Sequence, residues 1–357
     1  MSKFHTLKIT DVRRETEDCV SLAFAVPETL EKDFIFTQGQ HLTLRRQLNG
    51  EDVRRTYSIC TGPDDGELRV AVKKVPGGKF STFANEKLRV GDALEVLPPA
   101  GRFFTELKKD RAARYVAFAA GSGITPILSI MKAVITREPD SHFTLFYGNR
   151  NSESVIFREV IEGLKNEHLD RLSIHYVLTR EHPGSDLFAG RITGEKCRRF
   201  AQLLFEPEEV EDFFICGPFD MLQDLRQTLK ELGVPRERIH YELFTAPGSE
   251  PAKKQAQPVE IQSDEQVQVQ IQLDGERIGF TMPTQGQAVL DAALAAGADL
   301  PFACKGGVCC TCRAKLEGGK VEMAVNYALE PEEVEAGFVL TCQSYPRSKE
   351  LILNFDE

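Results

Sequence analysis

Residues 304–312 read CKGGVCCTC, four cysteines in nine positions of a 357-residue chain that has only nine cysteines in all. Cys304, Cys309 and Cys312 follow the spacing C-x4-C-x2-C, and twenty-nine residues separate Cys312 from Cys342. That is the spacing of a [2Fe-2S] site, in which four thiolates converge and backbone N–H groups point at the sulfurs. Gly306 and Gly307 are expected to let the backbone wrap closely enough to supply those donors. Zinc recruits two C-x-x-C pairs or histidines; here there is one such pair, and no histidine follows His240. A disulfide framework fits less well still. Cys310 falls between ligands, and neighbours in an extended loop point opposite ways, so it is expected to face away from the iron as a small filler.

The rest of the chain must supply electrons to such a site. At 357 residues, with 41% hydrophobic and 27% charged residues, two or three globular domains are expected. No apolar run reaches membrane-spanning length, and MSKFHTLKIT has no signal-like core. A cytoplasmic location follows as the default, where cysteines stay reduced. The net charge of −10 is uneven: residues 264–357 carry 7 basic against 15 acidic residues, a balance of −8, and the first 263 carry 37 against 39. Such a surface excludes nucleic acid as a partner. It suits either a solvated face or a docking face for a basic protein, with EPEEVE (330–335) as a candidate part.

Three segments follow from the patterning. Residues 1–107 hold six short alternating runs and one helical stretch, STFANEKL, the pattern of a small antiparallel barrel. Residues 108–246 alternate apolar strands with helices, the pattern of a doubly wound parallel sheet. Residues 247–263 have linker composition and are expected to let the last domain move. Residues 264–357 open on a hairpin at Asp274-Gly275, followed by a helix over about 287–296. Thr284 and Gln287 are expected to form its capping box and Gly297 its stop.

Three further motifs suggest ligands. RTYS (Arg55, Thr56, Tyr57, Ser58) ends a barrel strand, and GGKFST (77–82) opens the one helix of that domain, whose amides suit a phosphate. GSGITP (121–126) lies between a strand and a helix, where glycines let backbone approach an anion. Cys216-Gly217-Pro218 closes a later strand of the same sheet, at the carboxyl edge where such folds bind ligands. R-x-Y-S alone could be any edge strand, GSGITP is not the G-x-G-x-x-G fingerprint, and the seven histidines show no catalytic or metal spacing.

In this order the motifs resemble the ferredoxin–NADP reductase superfamily fused to a C-terminal plant-type ferredoxin of β-grasp fold. Within it, GQHLTL, RRTYSIC, AAGSGITPIL, FICGP, PFACKGGVC and NYALEPEEVEAGFVLTCQ are similar to the reductase subunits of phenylacetyl-CoA epoxidases. The resemblance spans essentially the whole chain and implies FAD, a pyridine nucleotide and a [2Fe-2S] cluster. It implies that Arg55, Thr56, Tyr57 and Ser58 hold the flavin, with Gly78, Ser81 and Thr82 at its pyrophosphate. Gly121, Gly123, Thr125 and Pro126 would cradle the nicotinamide dinucleotide, and Cys216 and Gly217 would lie near its ring. Ser58 and Cys216 would be the residues nearest the hydride, and Phe244 would lie near the flavin. Cys304, Cys309, Cys312 and Cys342 would be the cluster ligands.

Thr179-Arg180, with Arg150 assisting, matches the place of a 2′-phosphate site and favours NADPH over NADH. Glu181, next to Arg180, argues the other way. The resemblance further implies electron transfer to a di-iron oxygenase that epoxidises phenylacetyl-CoA. Another ring- or steroid-hydroxylating oxygenase or a desaturase is the alternative acceptor, and a zinc-stapled nucleotide-sensing module the non-enzymatic reading.

Overall fold

The computed structural model describes residues 3–244 and 266–357. The linker expected at 247–263 lies outside the described residues. One compact unit spans Phe4–Phe244, and a second holds the C-terminal residues.

The first unit begins with an antiparallel sheet of six strands: β1 (His5–Thr16), β2 (Cys19–Ala25), β3 (His41–Leu48), β4 (Glu51–Ser58), β5 (Leu68–Lys73) and β6 (Ala93–Val96). Their order is β4-β3-β6-β1-β2-β5. The sheet curls until Ile59, just past β4, bridges Val70 of β5, and Cys60 N–H donates to Arg69 O at 2.9 Å. These contacts close the barrel that the alternating runs imply. The helix α1 (Lys79–Glu86) plugs it with Phe80 and Ala84, each 1% exposed. A 3-10 helix over Glu28–Phe34 is an element the sequence pattern did not reveal.

The nucleotide-type half of this unit is a five-stranded parallel sheet of β7 (Arg114–Ala120), β8 (His142–Asn149), β9 (Leu172–Leu178), β10 (Val210–Gly217) and β11 (Ile239–Leu243). The order β11-β10-β7-β8-β9 reverses direction between β7 and β10, so a crevice opens at the carboxyl ends of those two strands. Four helices connect the strands: α2 (Ile124–Arg137), α3 (Arg158–Glu167), α4 (Gly194–Leu203) and α5 (Phe219–Glu231). Strands buried on both faces read as unbroken apolar runs, and Phe213, Phe214, Ile215 and Cys216 are all fully buried.

The barrel and the parallel sheet share a core. Ile124, Ile127, Leu128 and Met131 of α2 cluster with Cys19, Cys60, Ala71 and Phe103 from the barrel side. Polar clamps reinforce the seam: Ser129 Oγ donates to Thr61 O (2.7 Å), Lys132 Nζ meets Asp65 (2.5 Å) and Arg137 Nε meets Asp64 (2.7 Å). A shared apolar core fixes the two halves of the crevice more firmly than such exposed ion pairs do.

The C-terminal unit is a β-grasp: β12 (Gln266–Leu273), β13 (Glu276–Pro283), β14 (Arg313–Gly318), β16 (Phe338–Leu340) and β18 (Glu350–Asn354) in the order β13-β12-β18-β14-β16, with β15 (Val321–Met323) paired to β17 (Ser344–Pro346). The alternation in QVQVQIQL puts Val267, Val269 and Ile271 inside, and the glutamines at 266, 268 and 270 outside. The hairpin turns at Asp274-Gly275 with φ of +52° and +78°, the primed turn that matches strand twist. Helix α6 (Val289–Ala295) covers the sheet and stops at Gly297 (φ +92°). The expected capping box is absent: α6 starts at Val289, its N-cap is Ala288, and no side chain caps it. Thr284 stands too far upstream, because Gly286 (φ +87°) turns the chain between it and the helix. The short α7 (Pro331–Glu335) is capped by Glu330, whose N–H donates to Glu333 Oε2 at 3.1 Å. The acidic run is therefore a helix start in part. Among the described residues no helix is long and apolar enough to cross a membrane.

Candidate flavin, nucleotide and cluster sites

Strand β4 runs Arg55-Thr56-Tyr57-Ser58 along one wall of the barrel mouth, with Arg55 exposed and Ser58 buried. The Tyr57 ring lies 5.6 Å from Phe80, and burial pushes its hydroxyl up. Gly78 precedes α1 at a place where a Cβ would sit 2.4 Å from Ser81 Oγ and 2.5 Å from Val75 Cγ2, so a larger residue would force both side chains to shift. Ser81 Oγ accepts from Val75 N–H (3.2 Å) and donates to Gly78 O (3.4 Å), so it shapes the loop. Thr82 N–H closes the first helical turn on Gly78 O. No side chain caps α1, which leaves first-turn amides to meet an anion.

At the crevice, Gly121–Gly123 form a 3-10 turn that leads into α2. A Cβ on Gly123 would lie 2.1 Å from Cys216 O, so this glycine lets the loop rest directly on the end of β10. Thr125 and Pro126 are buried in the first turn of α2, and Thr125 Oγ1 is spent on Ser122 O (3.0 Å). They build the loop from behind. A Cβ on Gly217 would meet Met221 Cε at 2.5 Å. Cys216 is fully buried, and its thiol is pushed well up, first by burial and then by the charge of Glu242. It is a compact, fully buried side chain at the end of β10.

Glu242 went unread in the sequence, and His41 was one of seven histidines without catalytic or metal spacing. Strand register sets Glu242 beside Cys216 and His41 beside Ser58. Ser58 Oγ donates to Glu242 Oε2 at 3.1 Å, and His41 Nδ1 lies 3.7 Å from Glu242 Oε1. Phe244, 36% exposed, follows at the end of β11.

Arg150, Thr179 and Arg180 come together at the ends of β8 and β9. Asn149 O accepts from Thr179 N–H (3.0 Å), and Arg150 O accepts from Arg180 N–H (2.7 Å). The Glu181 carboxylate accepts from Ser152 N–H and Ser152 Oγ, each at 3.1 Å. Arg150 Nη2 is paired with Asp18 at 3.0 Å.

In the cysteine loop the four sulfurs influence one another. Cys304 hydrogen-bonds with Cys309 and, helped by the amides of Gly306, Val308 and Cys309 and opposed by burial, falls to about 5. Cys342 is lowered by its hydrogen bond with Cys312, against the opposing effect of burial. Gly306 N–H reaches Cys304 Sγ at 3.2 Å, and Gln343 Nε2 reaches Cys342 Sγ at 3.6 Å. Thiols lined by N–H donors suit a centre whose sulfurs carry negative charge.

Gly307 is required as expected, with φ +74° and Val325 and Gln343 only 3.2 Å from a Cβ. Gly306 is not: its nearest neighbour would be 3.7 Å away. Its N–H matters, and its lack of a side chain does not. Cys310 packs against the apolar core of this unit, but the loop there is not extended as expected: Cys310 has φ +52°, a left-handed turn.

Residues 6–105 match the model of an oxidoreductase FAD-binding domain, 118–227 that of an oxidoreductase NAD-binding domain, and 271–347 that of a 2Fe-2S iron-sulfur cluster binding domain. The chain is 44% identical over 356 residues to a subunit of 1,2-phenylacetyl-CoA epoxidase from Escherichia coli (strain K12), covering 100% of this chain and 99% of that one. It is 35% identical over 354 residues to the ferredoxin reductase component of 3-ketosteroid-9-alpha-monooxygenase of Rhodococcus rhodochrous, covering 98% and 96%. The solved structure of phthalate dioxygenase reductase shares the fold, with a TM-score of 0.60, 24% identity and coverage of 99% and 98%. The chain thus belongs to the family of oxygenase reductases that carry electrons from a pyridine nucleotide through FAD to a [2Fe-2S] cluster.

Proposed function

We propose that this chain is the reductase component of a phenylacetyl-CoA 1,2-epoxidase, drawing electrons from NADPH and delivering them to the di-iron oxygenase component. The full-length 44% identity to the epoxidase protein, against 35% for the ketosteroid monooxygenase reductase, carries this choice of partner. We take 1–107 as the flavin domain, 108–246 as the nucleotide domain, 247–263 as the linker and 264–357 as the ferredoxin domain.

Bound FAD would supply the conversion between two-electron hydride chemistry and one-electron transfer to the cluster. The chain's own work is to place and hold. Arg55, Gly78 and the first turn of α1 would bind the flavin pyrophosphate, with Ser81 shaping the loop and Thr82 closing the turn. Tyr57 would pack on the ring, Phe244 would cover it, and Ser58, steadied by Glu242, would face its edge. Gly121 and Gly123 would admit the nucleotide backbone, with Thr125 and Pro126 behind them. Cys216 and Gly217 would leave room for the nicotinamide. Arg150, Thr179 and Arg180 form a basic, hydroxyl-bearing end of the crevice suited to a 2′-phosphate. Cys304, Cys309, Cys312 and Cys342 would ligate the cluster.

Purified protein, mixed with the epoxidase oxygenase component, tests the reading through NADPH loss and epoxide formation with and without phenylacetyl-CoA. Substrate-dependent epoxide supports it. NADPH-driven bleaching of the visible spectrum without product would move this reductase to another oxygenase, the ketosteroid type being first in line.

A further inference from the structure

The turn between β1 and β2 places Asp18 among the cations of the nucleotide crevice. Its carbonyl accepts from Lys74 N–H at 2.6 Å, and its Oδ1 accepts from Thr16 Oγ1 at 2.9 Å. Backbone and side chain are thus both tied, and the carboxylate is held in place. The other oxygen, Oδ2, lies 3.0 Å from Arg150 Nη2 and 3.8 Å from Lys73 Nζ. Lys73 in turn borders the phosphate loop, since a Cβ on Gly121 would be 3.6 Å from its Nζ. One carboxylate oxygen therefore serves two cations, one from the barrel and one from the end of β8.

A phosphate oxygen makes the same demand on those cations. We propose that Asp18 is an affinity-setting residue of the nucleotide site, a carboxylate that a phosphate of the incoming dinucleotide displaces from Arg150 and Lys73. The proposal rests on reading this crevice as the pyridine-nucleotide site. Binding then exchanges one ion pair for another, and it leaves a fixed negative charge beside the phosphates. Both effects weaken affinity, which suits a reductase that must release oxidised nucleotide in every cycle. The groups are partly exposed, with Asp18 at 30% and Arg150 at 51%, so screening keeps the effect to roughly threefold to tenfold.

Asp18→Asn keeps the shape of the side chain and removes its charge. Calorimetric titration of the holoprotein with 2′,5′-ADP and with 5′-ADP, at one low ionic strength, reads the effect directly. Asp18→Asn is expected to bind both probes about three to ten times more tightly than the native chain. In an Arg150→Ala background part of that gain should vanish, because one of the two released cations is gone. Unchanged or weaker binding by Asp18→Asn would overturn the proposal and make Asp18 a support for the arginine. Arg180→Ala, titrated in parallel, separates this from the choice of coenzyme. If it binds 2′,5′-ADP as tightly as the native chain while Asp18→Asn still tightens both probes, the 2′-phosphate assignment falls and the role of Asp18 stands.

Discussion

Ser58 Oγ, at the end of β4 in the barrel, donates to Glu242 Oε2 on β11 of the parallel sheet at 3.1 Å. The bond crosses the seam between the two halves of the first unit, and it ends beside Cys216. A serine hydroxyl has one proton to give. While Glu242 takes it, the lone pairs of Ser58 are left for whatever lies in front of them, and the hydroxyl orientation is set by the neighbouring half of the unit.

Removing that acceptor should loosen the hydroxyl without emptying either binding site. Glu242→Ala is expected to slow hydride transfer from NADPH by about tenfold, the worth of one such bond. Flavin content and NADPH affinity should stay near native. Stopped-flow reduction at saturating nucleotide separates the two; a native rate would reduce Glu242 to a clamp across the seam.

The two adjacent cysteines should part company. Cys309 pairs with Cys304, whereas Cys310 packs into the apolar core. Cys309→Ser should lose the cluster's visible absorbance and most of its iron, and Cys310→Ser should keep both. Iron analysis of the two purified variants settles the ligand set.

Arg180 should discriminate between coenzymes. A charge-assisted bond to a 2′-phosphate is worth about 1.5–3 kcal/mol, so Arg180→Ala should weaken NADPH binding by roughly 10- to 100-fold and leave NADH binding nearly unchanged. Equal loss for both nucleotides would place Arg180 elsewhere on the ligand.

Acid should weaken the barrel through a buried arginine. Arg69, 4% exposed, hydrogen-bonds Asp11 at 2.5 Å and Glu67 at 2.8 Å, and those bonds hold both carboxyls below their usual range. A carboxyl depressed in the folded state stabilises it above its unfolded value, about 4, and the contribution is lost as pH falls through the folded value. The stability gap between the native chain and Arg69→Met should therefore be full near pH 6 and shrink below about pH 4. Chemical denaturation at a series of pH values measures it; a gap independent of pH would assign the loss to packing.

The elements were legible because each obeys a local rule. Alternating runs gave the barrel strands, unbroken apolar runs gave β7, β8 and β10, and Asp274-Gly275 gave the hairpin. The cysteine spacing was legible for the same reason. Glu242 and His41 were hidden because their meaning lies in register: no pattern within HYELF reveals that its glutamate faces a serine 184 positions away. The capping box failed on a three-dimensional detail, the left-handed turn at Gly286, and Gly306 failed because its amide, not its missing side chain, serves the sulfur. The pairing of Arg150 with Asp18 was equally out of reach, since it joins a β-turn of the barrel to the far half of the unit.

Anaerobic titration with NADPH, followed by visible and electron paramagnetic resonance spectra, tests the electron route most directly. The account predicts flavin bleaching together with the signal of a reduced [2Fe-2S] cluster in the native chain, and flavin bleaching alone in Cys309→Ser. A native chain whose flavin bleaches while no reduced-cluster signal forms would contradict it.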